Sequence, residues 1–394
     1  MINSKKIWRV IIPILAVAIM CENFISSKST QVMKLKSLEN NSFVQENLNI
    51  SYVQSSDGQI VPIPEGYVVS EFEEETYVKN GFVIYERNIS SENNLDGNKL
   101  KFQSKYNQYV WVPVNQEELL TIYGVDKNGK MCGKLYSYDK NGRMNKDWSI
   151  VNGKFYAKKG ALEPGLGTGA NADIIGELVI ASELGMTREE FQEELETSFY
   201  KTIKSIKKYG GFYIGRYETG MEDDIAVIKR MNNNLNNQTW TQMYKNSKKI
   251  NGEKDNVWST MIWGSLWDYT IYWFINTGAK TYEDIYLSTD WGNYNTSIFE
   301  YYKDTNGNKT SKEKTSGELK LIPSGSSDYT KVNNIYDMAG NVGEYALEMY
   351  NQYVSYRGGR YDVADEMKSC GYREKHKINE KDETIGSRAI LLIK

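Results

Sequence analysis

The chain is poor in the side chains that carry most metal and nucleophilic chemistry. It has one histidine, His376, in 394 residues, which excludes an iron site built from several imidazoles. His376 lies between Lys375 and Lys377 and reads as a solvated surface residue. Three cysteines exclude a disulfide-dense scaffold. Cys21 falls at the end of an N-terminal leader, which leaves Cys132 and Cys370 as either one disulfide or two separate thiols. A net charge of −3 with acidic and basic residues intermixed gives no footprint for a phosphate backbone, so no nucleic-acid partner is expected. The Gly-rich segment Gly165-Leu166-Gly167-Thr168-Gly169 is neither a dinucleotide fingerprint nor a P-loop, because no Gly-Lys-Ser/Thr follows, and reads as a plain loop.

Aromatic residues are plentiful instead: 30 Tyr, 9 Trp and 11 Phe. Tyr and Trp combine a large apolar body with a polar tip, which suits either a binding surface or a Tyr-rich core.

At the N-terminus Lys5, Lys6 and Arg9 precede the apolar run Val10 to Met20. Positive residues followed by about a dozen apolar ones are the layout of an export signal, and the run is short against the about 20 residues that a membrane span needs. The expectation is an exported chain, secreted or held on the outer face of the cytoplasmic membrane through residues 1–21. Whether that leader is cleaved, lipidated at Cys21 or retained stays open. Residues 22–58 are polar without periodicity and read as a tether.

The body begins at Ile60-Val61-Pro62-Ile63-Pro64. Residues 81–85 and 109–114 are rich in β-branched and aromatic residues and are expected as strands, with Pro113 marking an edge or a strand end. Asp126-Lys127-Asn128-Gly129-Lys130 recurs as Asp139-Lys140-Asn141-Gly142-Arg143. These predict hairpin tips, since the spacing of an EF-hand loop is not met. Thr187 and Glu190 form a capping box that starts a helix. Its stripe Phe191, Leu195, Phe199, Ile203 and Ile206 faces a core, and Gly210-Gly211 ends it. A strand is expected from Phe212 to Glu218, and a second apolar helix over residues 259–275. The whole predicts an irregular α+β body.

Four segments together resemble the formylglycine-generating enzyme (sulfatase-modifying factor) family. They are Gly210-Gly211-Phe212-Tyr213-Ile214-Gly215-Arg216-Tyr217-Glu218, Tyr336-Asp337-Met338-Ala339-Gly340-Asn341-Val342-Gly343-Glu344-Tyr345, Arg357-Gly358-Gly359-Arg360-Tyr361 and Gly386-Ser387-Arg388. Trp267-Asp268 resembles a pair that commonly precedes them. Gly343 stands where the family usually has Trp, and Ser387 replaces a Phe. The resemblance spans residues 109–394, with 59–108 similar to the N-terminal β extension of bacterial relatives. It implies a C-type-lectin-like fold with little regular structure.

Asp337 and Glu344 are seven residues apart around Gly340 and Asn341. A tight backbone there would let carbonyls and both carboxylates reach one point, and calcium takes six to eight such oxygens. The alternative is a hydrogen-bonded polar turn. The resemblance implies a structural calcium held by the Asp337 and Glu344 side chains and the Gly340 and Val342 carbonyls. It implies a second ion, more loosely aligned, near Asn293 and Tyr294.

The family enzyme oxidises a sulfatase cysteine with two copper-holding cysteines placed after the Arg-Gly-Gly. The corresponding positions here are Val363 and Lys368, and neither binds Cu(I), which prefers soft thiolates. Copper is therefore not expected, unless Cys132 and Cys370 rebuild a pair. No catalytic residue is assigned. The expectation is a noncatalytic, lectin-like binding or surface module, calcium-stabilised, with a protein, peptide or glycan ligand and membrane contact only through the N-terminal segment. The alternative is a formylglycine-generating-type oxidoreductase acting on protein cysteine.

Overall fold

The computed structural model describes residues 50–87, 99–114, 173–252, 254–308, 314–350, 353–364 and 369–394, and the short strands Val32–Met33, Ser149–Val151 and Lys154–Tyr156. The expected leader 1–21, most of the tether, Cys132, Lys368, both Asn-Gly turns and the loop 165–169 lie outside the described residues.

The organising layer is an antiparallel sheet of six strands. In chain order these are β1 (Tyr67–Val69), β2 (Phe82–Glu86), β3 (Gln108–Pro113), β4 (Gly211–Gly215), β5 (Val257–Met261) and the C-terminal β10 (Ala389–Ile393). Their spatial order is β5-β10-β4-β3-β2-β1. Val110 faces Ile214 and Ile390 faces Ile214 across the two central pairings. Pro113 is the last residue of β3, opposite Gly211, where its missing N–H costs little of the ladder.

Both faces of this sheet are covered, which is why β10 is a continuous apolar run. Alternate residues point to opposite faces: Ile390 and Leu392 join one core, while Ala389, Leu391 and Ile393 join the other. The first core is closed by α1 (Asp173–Leu184), α2 (Arg188–Tyr209), α3 (Trp240–Lys249) and α4 (Gly264–Asn276). In α2 the capping box of Thr187 and Glu190 forms as expected, and Gly210 ends the helix in a left-handed conformation (φ 79°). Phe191, Leu195, Phe199, Ile203 and Ile206 are all buried against the sheet. The second core lies under a hairpin in which Ile50–Gln54 pairs antiparallel with Ile60–Pro64.

A second sheet of four strands carries the motifs. It contains β6 (Gly343–Tyr350), β7 (Tyr353–Arg357), β8 (Arg373–Lys377) and β9 (Ile385–Ser387), in the order β8-β7-β6-β9, with β6 and β9 parallel. Helices combine with mainly antiparallel sheets, so the fold class is α+β.

Two expectations need correction. Residues 50–54 form a strand rather than tether, because Val53 finds Val61 across a tight turn closed by Ser55 and Gln59. Within the expected N-terminal β extension, 59–108, the described strands β1 and β2 belong to the main sheet. The apolar helix begins at Gly264, not at 259: Val257–Met261 pairs along its whole length with β10, and Trp263 is the N-cap. No helix among the described residues is long and apolar enough to cross a membrane.

Candidate functional site

The four motifs converge on one buried polar junction between the two sheets. Its centre is the loop from Tyr336 to Gly343. Asp337 and Asn341 adopt left-handed backbone (φ 59° and 60°), as does Gly340 at φ 72°. Asp and Asn tolerate that region better than other side chains. At Gly340 nothing larger than hydrogen fits, because a Cβ would lie 2.1 Å from the carbonyl oxygen of Asn293. That close approach is a parallel bridge: Asn293 N–H donates to Ala339 O (3.0 Å), and Asn341 N–H donates to Asn293 O (2.8 Å). Asn293 Nδ2 donates to Asn341 Oδ1 (2.9 Å), and Tyr294 Oη donates to the Gly358 carbonyl (2.9 Å). The structure thus brings the Asn293-Tyr294 segment, the signature loop and the Arg-Gly-Gly turn into direct contact.

Each charged member has a protein partner. Arg388 holds both carboxylate oxygens of Glu344, Nε to Oε2 at 2.8 Å and Nη2 to Oε1 at 2.5 Å, and also donates to the Gly215 and Tyr336 carbonyls. Asp337 accepts from Thr330 Oγ1 (2.6 Å), Gly325 N–H (2.6 Å) and Ser324 Oγ (3.3 Å). Glu218, from the first motif, accepts from Asn341 Nδ2 (2.7 Å) and Val342 N–H (3.1 Å). Burial raises the Glu218 carboxyl well above its ordinary range, and the nearby Asp337 and Glu344 charges push the same way. Arg357 donates to Asp268 and to Glu348 (3.3 Å), which ties the Arg-Gly-Gly turn to Trp267-Asp268 on α4.

The donors at Asp337 and Glu344 do not fit a calcium ion. Every carboxylate oxygen already has a protein donor, and the guanidinium of Arg388 lies on Glu344 where a divalent ion would have to sit. At Asn293 and Tyr294 the Tyr294 carbonyl accepts from the buried ammonium of Lys314, which also donates to Ser297 O at 3.1 Å. A metal on that carbonyl would meet a like charge, at about 4 kcal/mol per unit charge for a separation of about 4 Å and an effective dielectric of about 20. Asn293 Oδ1 is a buried acceptor without a protein partner. Among the described residues no group of three or more His, Cys, Asp and Glu is placed to hold a metal.

Positions that differ from the resembled motifs lie in filled space. A Cβ on Gly343 would lie 2.5 Å from the ring of Tyr356 and 3.2 Å from Arg360 Cγ, so those two side chains fill the space a Trp would need. Val363 packs against the core. Cys370 is buried and unpaired, and burial pushes its thiol far up from the ordinary value.

His376 is not a solvated residue. Its side chain is 14% exposed, its Nδ1 is 2.7 Å from Tyr345 Oη, and its Nε2 is 3.8 Å from Asp382. Pairing of β7 with β8 carries it there, and nothing in the flanking lysines signals this.

Beside the junction a cleft of about 360 Å³ is lined by Ile298, Phe299, Glu300, Tyr301, Tyr302, Ser327, Asp328 and Tyr329. Phe299 stacks on Tyr329 at 4.7 Å between ring centres, and Arg230 pairs with Asp328 at 2.9 Å. Ile298 is 54% exposed at its rim. Sequence reading missed this cleft. Its signal was the aromatic-rich run Phe299-Glu300-Tyr301-Tyr302.

No family model and no curated protein matches the chain. Among solved structures, PvdO from Pseudomonas aeruginosa is 13% identical, with a TM-score of 0.28 over 47% of this chain and 81% of that one. Treponema denticola variable protein 1 is also 13% identical, with a TM-score of 0.21 over 72% of this chain and 84% of that one. At these scores neither likeness assigns a fold or an activity.

Proposed function

We propose that this chain is an exported, noncatalytic binding module with a C-type-lectin-like fold of the formylglycine-generating-enzyme type. The observation that carries the reading is the state of the motif residues. Arg216, Glu218, Asp337, Glu344, Arg357 and Arg388 are all buried and bonded to protein partners. They are arranged as a framework rather than as groups presented to a substrate. Cys370 supports the same reading, because a buried thiol held in its neutral form is a poor nucleophile and a poor copper ligand. The cleft beside the junction supplies the binding surface. Phe299, Tyr301, Tyr302 and Tyr329 offer aromatic area, and Glu300, Asp328 and Ser327 offer polar atoms, a composition suited to a glycan or a peptide.

The test is a glycan array and a peptide array probed with the purified chain, followed by titration of the hits. Tyr301→Ala should remove binding while leaving the melting temperature unchanged. Silence on both arrays, or hits that survive both Tyr301→Ala and Tyr302→Ala, would refute the assignment of this cleft. Export is checked by fractionating cells that express the full chain; recovery only from the cytoplasm would contradict it.

A further inference from the structure

We propose that Lys314 is the structural cation of this fold: its ammonium organises the loop 291–299 against the signature loop, and the chain holds that corner without a divalent metal. Lys314 is 1% exposed, an unusual burial for a lysine, and its ammonium donates to backbone carbonyls, with Glu318 the carboxylate among the described residues that acts on its charge. A buried ammonium must recover its hydration from protein groups. Here two backbone carbonyls do so, those of Tyr294 and Ser297, while the Phe299 ring lies 5.9 Å from the nitrogen. Carbonyl oxygens converging on a cation from within one loop are the kind of donors a hard metal uses. In this chain the cation is covalently tethered.

The tether is placed by backbone pairing. Lys314 N–H donates to Phe299 O at 2.8 Å, in an antiparallel bridge that fixes the ammonium over the turn Tyr294–Ser297. That turn is closed by Ser297 Oγ, which donates to Gly292 O and accepts from Tyr294 N–H. Asn293, one residue before Tyr294, carries the bridge to Gly340 and Asn341. The ammonium therefore supports both a wall of the cleft, at Phe299, and the bridge to the signature loop. Arg388 likewise lies on Glu344, so each of the two expected calcium sites has one of its ligands already bonded to a cation of the chain.

The experiment is a thermal-shift series on the full chain, with Lys314→Met, Lys314→Arg and Lys314→Ala, each in EDTA and in millimolar Ca²⁺. The unsubstituted chain should melt at the same temperature in both. Lys314→Met keeps the aliphatic stem and loses the charge, so it should melt several degrees lower and become sensitive to proteolysis within residues 291–299. Methylammonium should raise the melting temperature of Lys314→Ala and leave the unsubstituted chain unmoved. A melting temperature for the unsubstituted chain that drops in EDTA and returns with Ca²⁺ would overturn the proposal. So would a Lys314→Met chain as stable as the parent.

Discussion

Glu75 and Arg216 form a buried ion pair, 2.8 Å between Oε1 and Nη2, that joins the N-terminal strands to the first motif. Neither side chain is more than 1% exposed. Ser70, Tyr85 and Gln103 donate to the same carboxylate, and Arg216 also reaches Gln108 and the Asn334 carbonyl. The N-terminal strands and the motif core are thus coupled electrostatically as well as by the shared sheet.

Breaking such a pair from one side leaves a buried charge uncompensated, at about 3–5 kcal/mol. Glu75→Gln is expected to lose that order of stability in urea denaturation, and Glu75→Gln with Arg216→Met should recover part of it. Against the cost of its burial, the Arg216 charge and hydrogen bonds hold the Glu75 carboxyl down at about 2. A depressed carboxyl stabilises the fold above its unfolded value near 4.5 and loses that contribution as pH falls through 2. The loss, about 3 kcal/mol at about 1.4 kcal/mol per pH unit, should appear as acid sensitivity that Glu75→Gln lacks.

Glu218 behaves in the opposite sense. Its raised carboxyl binds a proton more tightly in the folded chain than in the unfolded one. That contribution is complete below the unfolded value and is lost as pH rises through the folded one. The urea midpoint should fall as pH rises above the ordinary carboxylate range, and Glu218→Gln should flatten the slope. An unchanged slope in that variant would place the titration elsewhere.

Gly340→Ala tests the bridge to Asn293. The substituted residue would be strained at φ 72° and would collide with the Asn293 carbonyl, so a loss of more than about 1–3 kcal/mol is expected. Gly317→Ala, also at positive φ but with open space around its Cβ position, should cost less.

Phe199→Ala should cost about 3–5 kcal/mol, because Phe199 packs edge-to-face on Trp263 at 4.9 Å inside the main core. Lys201→Ala, on the exposed face of the same helix, should stay within about 0.5 kcal/mol. The comparison is read from denaturation midpoints.

What was legible in the chain was local. The 3.6-residue stripe and the capping box located α2 within a residue, and the β-branched runs located β2 and β3. The boundary at 257–264 was not legible, because Val257–Met261 becomes a strand only through pairing with residues 389–393. The motifs were visible as spacing, but their partners were not. Glu75 lies 141 residues from Arg216, and His376 lies 31 from Tyr345; no local pattern encodes either contact. Lys314 reads in the sequence as the second of two lysines in Lys312-Glu313-Lys314, and it is buried where it pairs with Phe299.

The central claim, that the motif residues form a framework and do no cysteine chemistry, is tested most directly by mass spectrometry of a Cys-x-Pro-x-Arg peptide. The peptide is incubated with the purified chain, Cu(I) and oxygen. The account predicts no formylglycine mass change above the metal-only blank, and an unreacted Cys370 when the native chain is treated with a thiol reagent. Turnover above the blank that disappears in Cys370→Ser would contradict it.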